Sequence, residues 1–164
     1  MTEMFSNNPN DFSFHDSYAK VKADGDDMVF TIERLNVHKG CVFNPFDCDM
    51  EADTAIMKIS EARVLYFKIP ECSMLYPDGT KIDMPALSVT DDRAFESFMR
   101  EAEKGITIND LIDEEHSIVM EASGTNSFFE IKITYGSVEI VWNNYSGKAW
   151  YERDEWKNKG NTEE

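Results

Sequence analysis

The chain has 164 residues, 41% of them hydrophobic and 29% charged, which is enough apolar surface to build one core without disulfides or a structural metal. Against 16 basic residues stand 32 acidic ones, a formal net charge of −16. That field repels phosphate backbones and anionic membrane surfaces and disfavours nucleic acid as a direct ligand, while it favours cations or a basic partner protein.

No apolar stretch is long enough to span a bilayer, and residues 1–14 lack the basic segment and apolar run of a secretion signal. The three cysteines, Cys41, Cys48 and Cys72, have no compact disulfide spacing. Reduced thiols and a cytoplasmic location are the expectation.

Residues 1–11 are polar, with Asn7, Asn8, Pro9 and Asn10 clustered, and read as a flexible lead-in to a single domain over residues 12–156. Residues 17–37 place two Val-, Ile- and Phe-rich runs around Gly25, the pattern of a β-hairpin. Residues 39–53 follow neither periodicity and read as a long loop. Residues 54–69 predict one long strand with Arg63, Leu65, Phe67 and Ile69 on one face, ended or bent by Pro70. Tyr76, Pro77, Asp78 and Gly79 are turn residues, so residues 74–84 predict a short hairpin or flap.

Residues 90–105 predict the clearest helix, with Thr90 as its cap and Gly105 as its stop. Ala94, Phe95, Phe98, Met99 and Ala102 form its apolar stripe, which suits a helix lying on a sheet. Residues 106–115 are ambiguous between a short helix and a loop. The runs at 117–122, 127–134, 138–142 and 148–151 are separated by turn residues and predict a four-strand antiparallel meander. Residues 157–164 read as a disordered tail. The expected fold is α+β, mainly β: an antiparallel sheet or sandwich with one amphipathic helix packed on it.

Chemistry is sparse in this sequence. It has no glycine-rich phosphate loop and no Gly-x-Ser-x-Gly elbow. Ser13, His15 and Asp16 are close in sequence, but neighbours on a strand point to opposite faces, so a triad is not expected. His38 and Cys41 have the spacing of half a zinc site, with Cys48 and Cys72 too far away to complete it locally. No metal or cofactor is assigned.

Asp47, Asp49, Glu51 and Asp53 put carboxylates at alternate positions, but Ala52 and Lys58 occupy the places where a calcium loop needs Gly and Glu. Extended, the four carboxylates would repel one another unless solvent, a cation or a basic partner relieved them. Tyr145 and Trp156 are the aromatic residues best placed to act as surface anchors. These six residues are the expected binding site.

The opening Phe14-His15-Asp16-Ser17 and the closing stretch from Ile140 to Trp150, with Asn143-Asn144-Tyr145-Ser146-Gly147 at its centre, resemble small bacterial β-rich proteins, some of them like immunity proteins of polymorphic toxin systems. The acidic charge and the missing chemistry make a non-enzymatic protein-binding domain for a basic partner, such as a nuclease toxin, the leading expectation, and the resemblance implies its narrower form, an immunity-type inhibitor. The resemblance transfers no functional residue. An enzyme using carboxylates or a metal held in the 39–53 loop is the alternative, and an accessory or self-assembling structural protein is a third. The sequence fixes no oligomeric state.

Overall fold

The computed structural model describes residues 3–154. In chain order its strands are β1 (Met4–Ser6), β2 (Phe12–Ser13), β3 (Ser17–Asp24), β4 (Asp27–Glu33), β5 (Asn36–Val37), β6 (Met50–Ala52), β7 (Thr54–Ser60), β8 (Arg63–Ile69), β9 (Cys72–Leu75), β10 (Lys81–Met84), β11 (Leu87–Thr90), β12 (Ile106–Glu114), β13 (Ser117–Ser123), β14 (Phe128–Thr134), β15 (Ser137–Trp142) and β16 (Tyr145–Lys148). One α-helix, α1 (Asp91–Glu101), lies between β11 and β12. The protein is mainly β with antiparallel sheets and a single α-helix among the described residues, which is the expected class.

Ten strands form one sheet in the order β1-β15-β7-β4-β3-β12-β13-β14-β8-β11. Neighbouring strands are about 4.8 Å apart, so on a flat sheet β7 and β8 would be separated by roughly 29 Å. Only Glu61 and Ala62 join them, so that three Cα steps lead from Ser60 to Arg63 and reach no more than about 11 Å. The sheet must therefore fold over until its two halves face each other, near the roughly 10 Å spacing of packed sheets. Tyr135 and Gly136 make the same crossing from β14 to β15. On the far side the halves stay continuous through a short pairing of Ala19, Tyr18 and Ser17 in β3 with Ile106, Thr107 and Ile108 in β12.

The interior lies between the halves. Phe30, Met57, Ile140 and Trp142 come from one half, Phe67, Ile108, Phe129 and Ile131 from the other, and all are buried. Phe98 of α1 reaches both, with its ring 6.4 Å from Phe30 and 5.9 Å from Phe129. Full burial of such a ring stabilises the fold by about 1.5–3 kcal/mol. The inward face of α1 is Ala94, Phe98 and Glu101, whereas Phe95, expected to pack, is 37% exposed. Thr90 makes no side-chain capping bond to the helix backbone.

Several expectations are corrected by pairing between distant segments. The predicted long strand is two strands, because Glu61 turns the chain with φ of 52° while its N–H is held by the Asp27 carboxylate at 3.1 Å. Within β8 the predicted alternation fails at a bulge: Tyr66 and Val64 pair with consecutive residues Lys132 and Ile133, so Leu65 is the extra residue. Val64 and Phe67 then both turn inward and Leu65 is left exposed. Residues 106–114 are strand β12, its ladder with β13 outweighing the weak strand preference of its Asp and Asn residues.

The expected meander also ends early. β13 and β14 form the hairpin, but β14 pairs next with β8, and β15 crosses to pair with β7 and β1. There Val138, Ile140 and Trp142 lie opposite Ile59, Met57 and Ala55, matching apolar faces. Residues 150–152 form a 3-10 turn, not a strand. The lead-in, expected to fray, is tied down: Met4, Phe5 and Ser6 pair with Trp142, Val141 and Ile140, and Pro9 is buried. The tail at 157–164 lies outside the described residues. Among the described residues no helix is long and apolar enough to cross a membrane.

Candidate functional site

A small separate sheet in the order β16-β6-β5-β2 carries Glu51 and Tyr145, with Asp49 and Asp53 directly flanking β6. The segment before β6 has no regular structure, yet it is knit from within. Buried Asn44 donates through its amide to the carbonyls of Val37 and Cys48, both at 3.1 Å, and accepts from the N–H of Phe46 at 3.1 Å. Residues 50–52 of the expected loop are strand β6, paired with β5 and β16.

Asp49 is the polar centre of this region. Its Oδ2 lies 3.0 Å from His38 Nδ1 and accepts from the Tyr151 hydroxyl at 2.8 Å, while its Oδ1 accepts from the Lys39 N–H at 2.9 Å. Burial alone would raise its pKa, but these hydrogen bonds outweigh burial and hold the carboxyl below the ordinary carboxylate value. The Tyr151 phenol is pushed up, first by burial and then by donating to Asp49. Glu51 accepts from the Ser146 hydroxyl at 2.9 Å and lies 3.5 Å from Arg153. Asp47 and Asp53 are exposed. The alternating carboxylates are thus split into two engaged within the fold and two facing solvent, which leaves Asp47 and Asp53 as the accessible pair.

Tyr145 is half-buried, with its hydroxyl on the Phe43 carbonyl at 3.0 Å and its ring edge-on to Phe46 at 5.9 Å and to Trp142 at 6.5 Å. Burial pushes its phenol up. It belongs to an aromatic cluster rather than standing free as an anchor. Trp156 lies outside the described residues.

The potential ligands His38, Cys41, Cys48 and Cys72 do not converge. His38 turns to Asp49, Cys41 is buried with its thiol pushed up by burial, Cys48 lies 3.8 Å from the Met50 sulfur, and Cys72 is on β9. Among the described residues no group of three or more His, Cys, Asp or Glu is arranged to hold a metal ion. His15 and Asp16 do touch, Nδ1 to Oδ2 at 3.0 Å, because they sit in a turn where Asp16 has φ of 63°. Off the strand, the two side chains are free to meet, although no serine hydroxyl is bonded to His15 among the described residues. His15, Asp16, Arg34, Glu51, Trp150 and Arg153 line a shallow groove of mixed charge.

A second surface is formed by residues 68–88. The β8–β11 hairpin continues into β9–β10, and the pairing is interrupted where Pro70 and Pro85 fall between the two ladders. Proline offers no N–H to a ladder, so the hairpin breaks and its outer half projects as an arm. The tip is the expected turn, with Gly79 at φ of 84° donating to the Tyr76 carbonyl at 2.9 Å. Met84 pairs with Cys72 and Ile82 with Met74, so these four share one face, while Ser73, Asp83, Leu75 and Lys81 share the other. On the second face the polar groups pair locally, through the Ser73–Asp83 hydrogen bond and the 2.9 Å Lys81–Asp83 ion pair, beside an exposed Leu75. On the first, Met74, Ile82 and Met84 are 44%, 45% and 40% exposed.

Sequence reasoning located this flap but not its apolar face. The signal was present in the alternation of Met74 with Ser73 and Ile82 with Asp83. Compared with protein-family models, with curated proteins and with solved structures, the chain matches none.

Proposed function

We propose that this chain is a non-enzymatic protein-binding domain for a basic partner, and, in its narrower form, an immunity-type inhibitor of such a partner. The supporting observation is where the negative charge sits. Glu101 is the one carboxylate in the buried class among the described residues, and the surplus acidity, Asp47 and Asp53 included, is therefore carried by groups with some access to solvent. Charges so placed raise encounter rates with positive surfaces and repel negative ones.

The test is affinity purification from the native host followed by stopped-flow binding to the purified partner at several salt concentrations. The reading expects a basic partner whose association slows steeply with salt, since exposed charges are screened beyond roughly 8 Å at physiological ionic strength. An association rate indifferent to salt overturns it.

A further inference from the structure

The arm and the sheet surface at its base form one continuous apolar strip. Side chains alternate along a strand, so Lys68 and Pro70 in and after β8 lie on the same face as Cys72 and Met74, and Ser88 and Ala86 on the same face as Met84 and Ile82. That face meets the outer side of β14, where Phe128 is 42% exposed, and the hollow between them is lined by Pro70, Ala86, Phe128, Lys68, Glu121 and Glu130. The strip therefore runs from Met74 and Ile82, through Met84 and Pro70, to Phe128.

Its inner end is marked by charge. Glu121 and Glu130 are directly opposite each other in the β13–β14 ladder, an arrangement that destabilises a sheet unless a cation intervenes. Lys68 lies 3.5 Å from Glu130, and the Tyr66 hydroxyl donates to the same carboxylate at 2.8 Å. Glu121 is exposed and has no cation or hydrogen-bond donor to its side chain among the described residues.

We propose that this strip is the docking surface for a partner protein, which lays an extended apolar segment along Met74, Ile82, Met84 and Phe128 and sets a Lys or Arg against Glu121. The assignment rests on the basic-partner reading above and locates the contact away from the 47–53 carboxylates. Soft, adaptable methionines suit a surface that moulds to another chain. A second copy of this protein is a poor occupant, because two strips would bring the unpaired Glu121 carboxylates into the same contact in molecules that each carry −16.

The test uses synthetic peptides as stand-ins for the partner segment: one alternating Leu and Lys, one alternating Leu and Glu. Binding is followed by the methyl NMR signals of 13C-labelled methionines, with Met74 and Met84 assigned by substitution. The Lys peptide is expected to move the Met74 and Met84 methyls, to bind about tenfold more weakly to Ile82→Asp, and to lose up to about threefold on Glu121→Gln at low salt. Ile82 touches no packed core, so the Ile82→Asp variant should keep its melting temperature. Salt-sensitive binding that leaves both methyls and the Ile82→Asp variant unaffected overturns the strip while sparing the basic-partner reading. Equal binding of the Glu peptide overturns the basic-partner reading and the role of Glu121 with it. Self-association in sedimentation velocity that Ile82→Asp abolishes overturns the assignment by making a second copy the occupant.

Discussion

The carboxylate of Glu101, in the last turn of α1, accepts the backbone N–H of Ser127 at 3.1 Å across the β13–β14 turn. The same oxygen takes the Asn126 N–H at 2.8 Å, and the Glu101 carbonyl takes the Thr125 N–H at 2.9 Å and its hydroxyl at 3.0 Å. Helix end and hairpin turn are thereby one unit. Glu101→Ala strips two N–H groups of a charged acceptor and is expected to cost about 2–3 kcal/mol, with Glu101→Gln losing less. Gly124→Ala, whose new methyl would lie 2.8 Å from the Glu101 backbone oxygen, is expected to destabilise by about 1–3 kcal/mol. Urea titrations of the three variants check both.

Phe98→Ala removes a fully buried ring that touches both halves of the folded sheet and is expected to cost about 3–5 kcal/mol. Phe95→Ala and Glu96→Ala, both exposed on the same helix, should each stay within about 0.5 kcal/mol of the parent. A large loss from Phe95→Ala in denaturant titration would show that the helix is rotated from the position described.

Where the sequence was readable, the information was local. The β3–β4 hairpin announced itself through Gly25, α1 through its 3.6-residue stripe, and the arm through Pro77 and Gly79. What escaped reading depends on partners far along the chain. Nothing at Glu61 or Ala62 advertises a turn, since no Gly or Pro stands there and the bend is held by Asp27 from another hairpin. β15 carries as good an alternation as β14, and only the crossing at Tyr135 and Gly136 decides that its neighbour is β7. The candidate site divides in the same way. Four carboxylates at alternate positions look equivalent in sequence, yet His38, Lys39 and Tyr151 claim Asp49 and Ser146 claims Glu51.

That division has a kinetic consequence. With a partner in hand, Asp47→Asn combined with Asp53→Asn should slow association without altering stability, because both side chains are exposed and add to the long-range field that steers a basic partner during approach. Asp49→Asn should instead lower the melting temperature. The two effects separate in stopped-flow and thermal-melt measurements on the same proteins.

The Asp49 network also sets an acid limit. Its carboxyl is held below the unfolded value of about 3.9, so the stability it contributes is complete above that pH and is lost as pH falls through the lower folded value. At the alkaline end, burial and hydrogen bonds to Glu130 and Asp113 push Tyr66 and Tyr135 up to about 12. Their contribution is complete below the unfolded value of about 10 and lost as pH rises from there toward 12. Absorbance titration at alkaline pH should show late-ionising phenols, with Tyr66→Phe and Tyr135→Phe each removing one.

Reductant is expected to leave the melting temperature unchanged, because all three cysteines are free. Under native conditions a thiol reagent should modify Cys72 and Cys48 well before Cys41, which is buried with its thiol pushed up. Peptide mapping by mass spectrometry reads the order. Early modification of Cys41 would show that the loop around Asn44 opens readily.

The pairing of β1 with β15 bears on how the protein comes into being. Met4 sits opposite Trp142, so the first strand made has no neighbour until the chain is nearly finished. The pairings of β15 with β7, of β14 with β8 and of β12 with β3 likewise join segments far apart in the chain, and closing such long loops before contacts reward them slows folding toward the millisecond-to-second range typical of all-β topologies. During synthesis the apolar residues of β3 and β4 must wait, and the surplus of negative charge along the chain, −16 in all, then opposes association between incomplete copies.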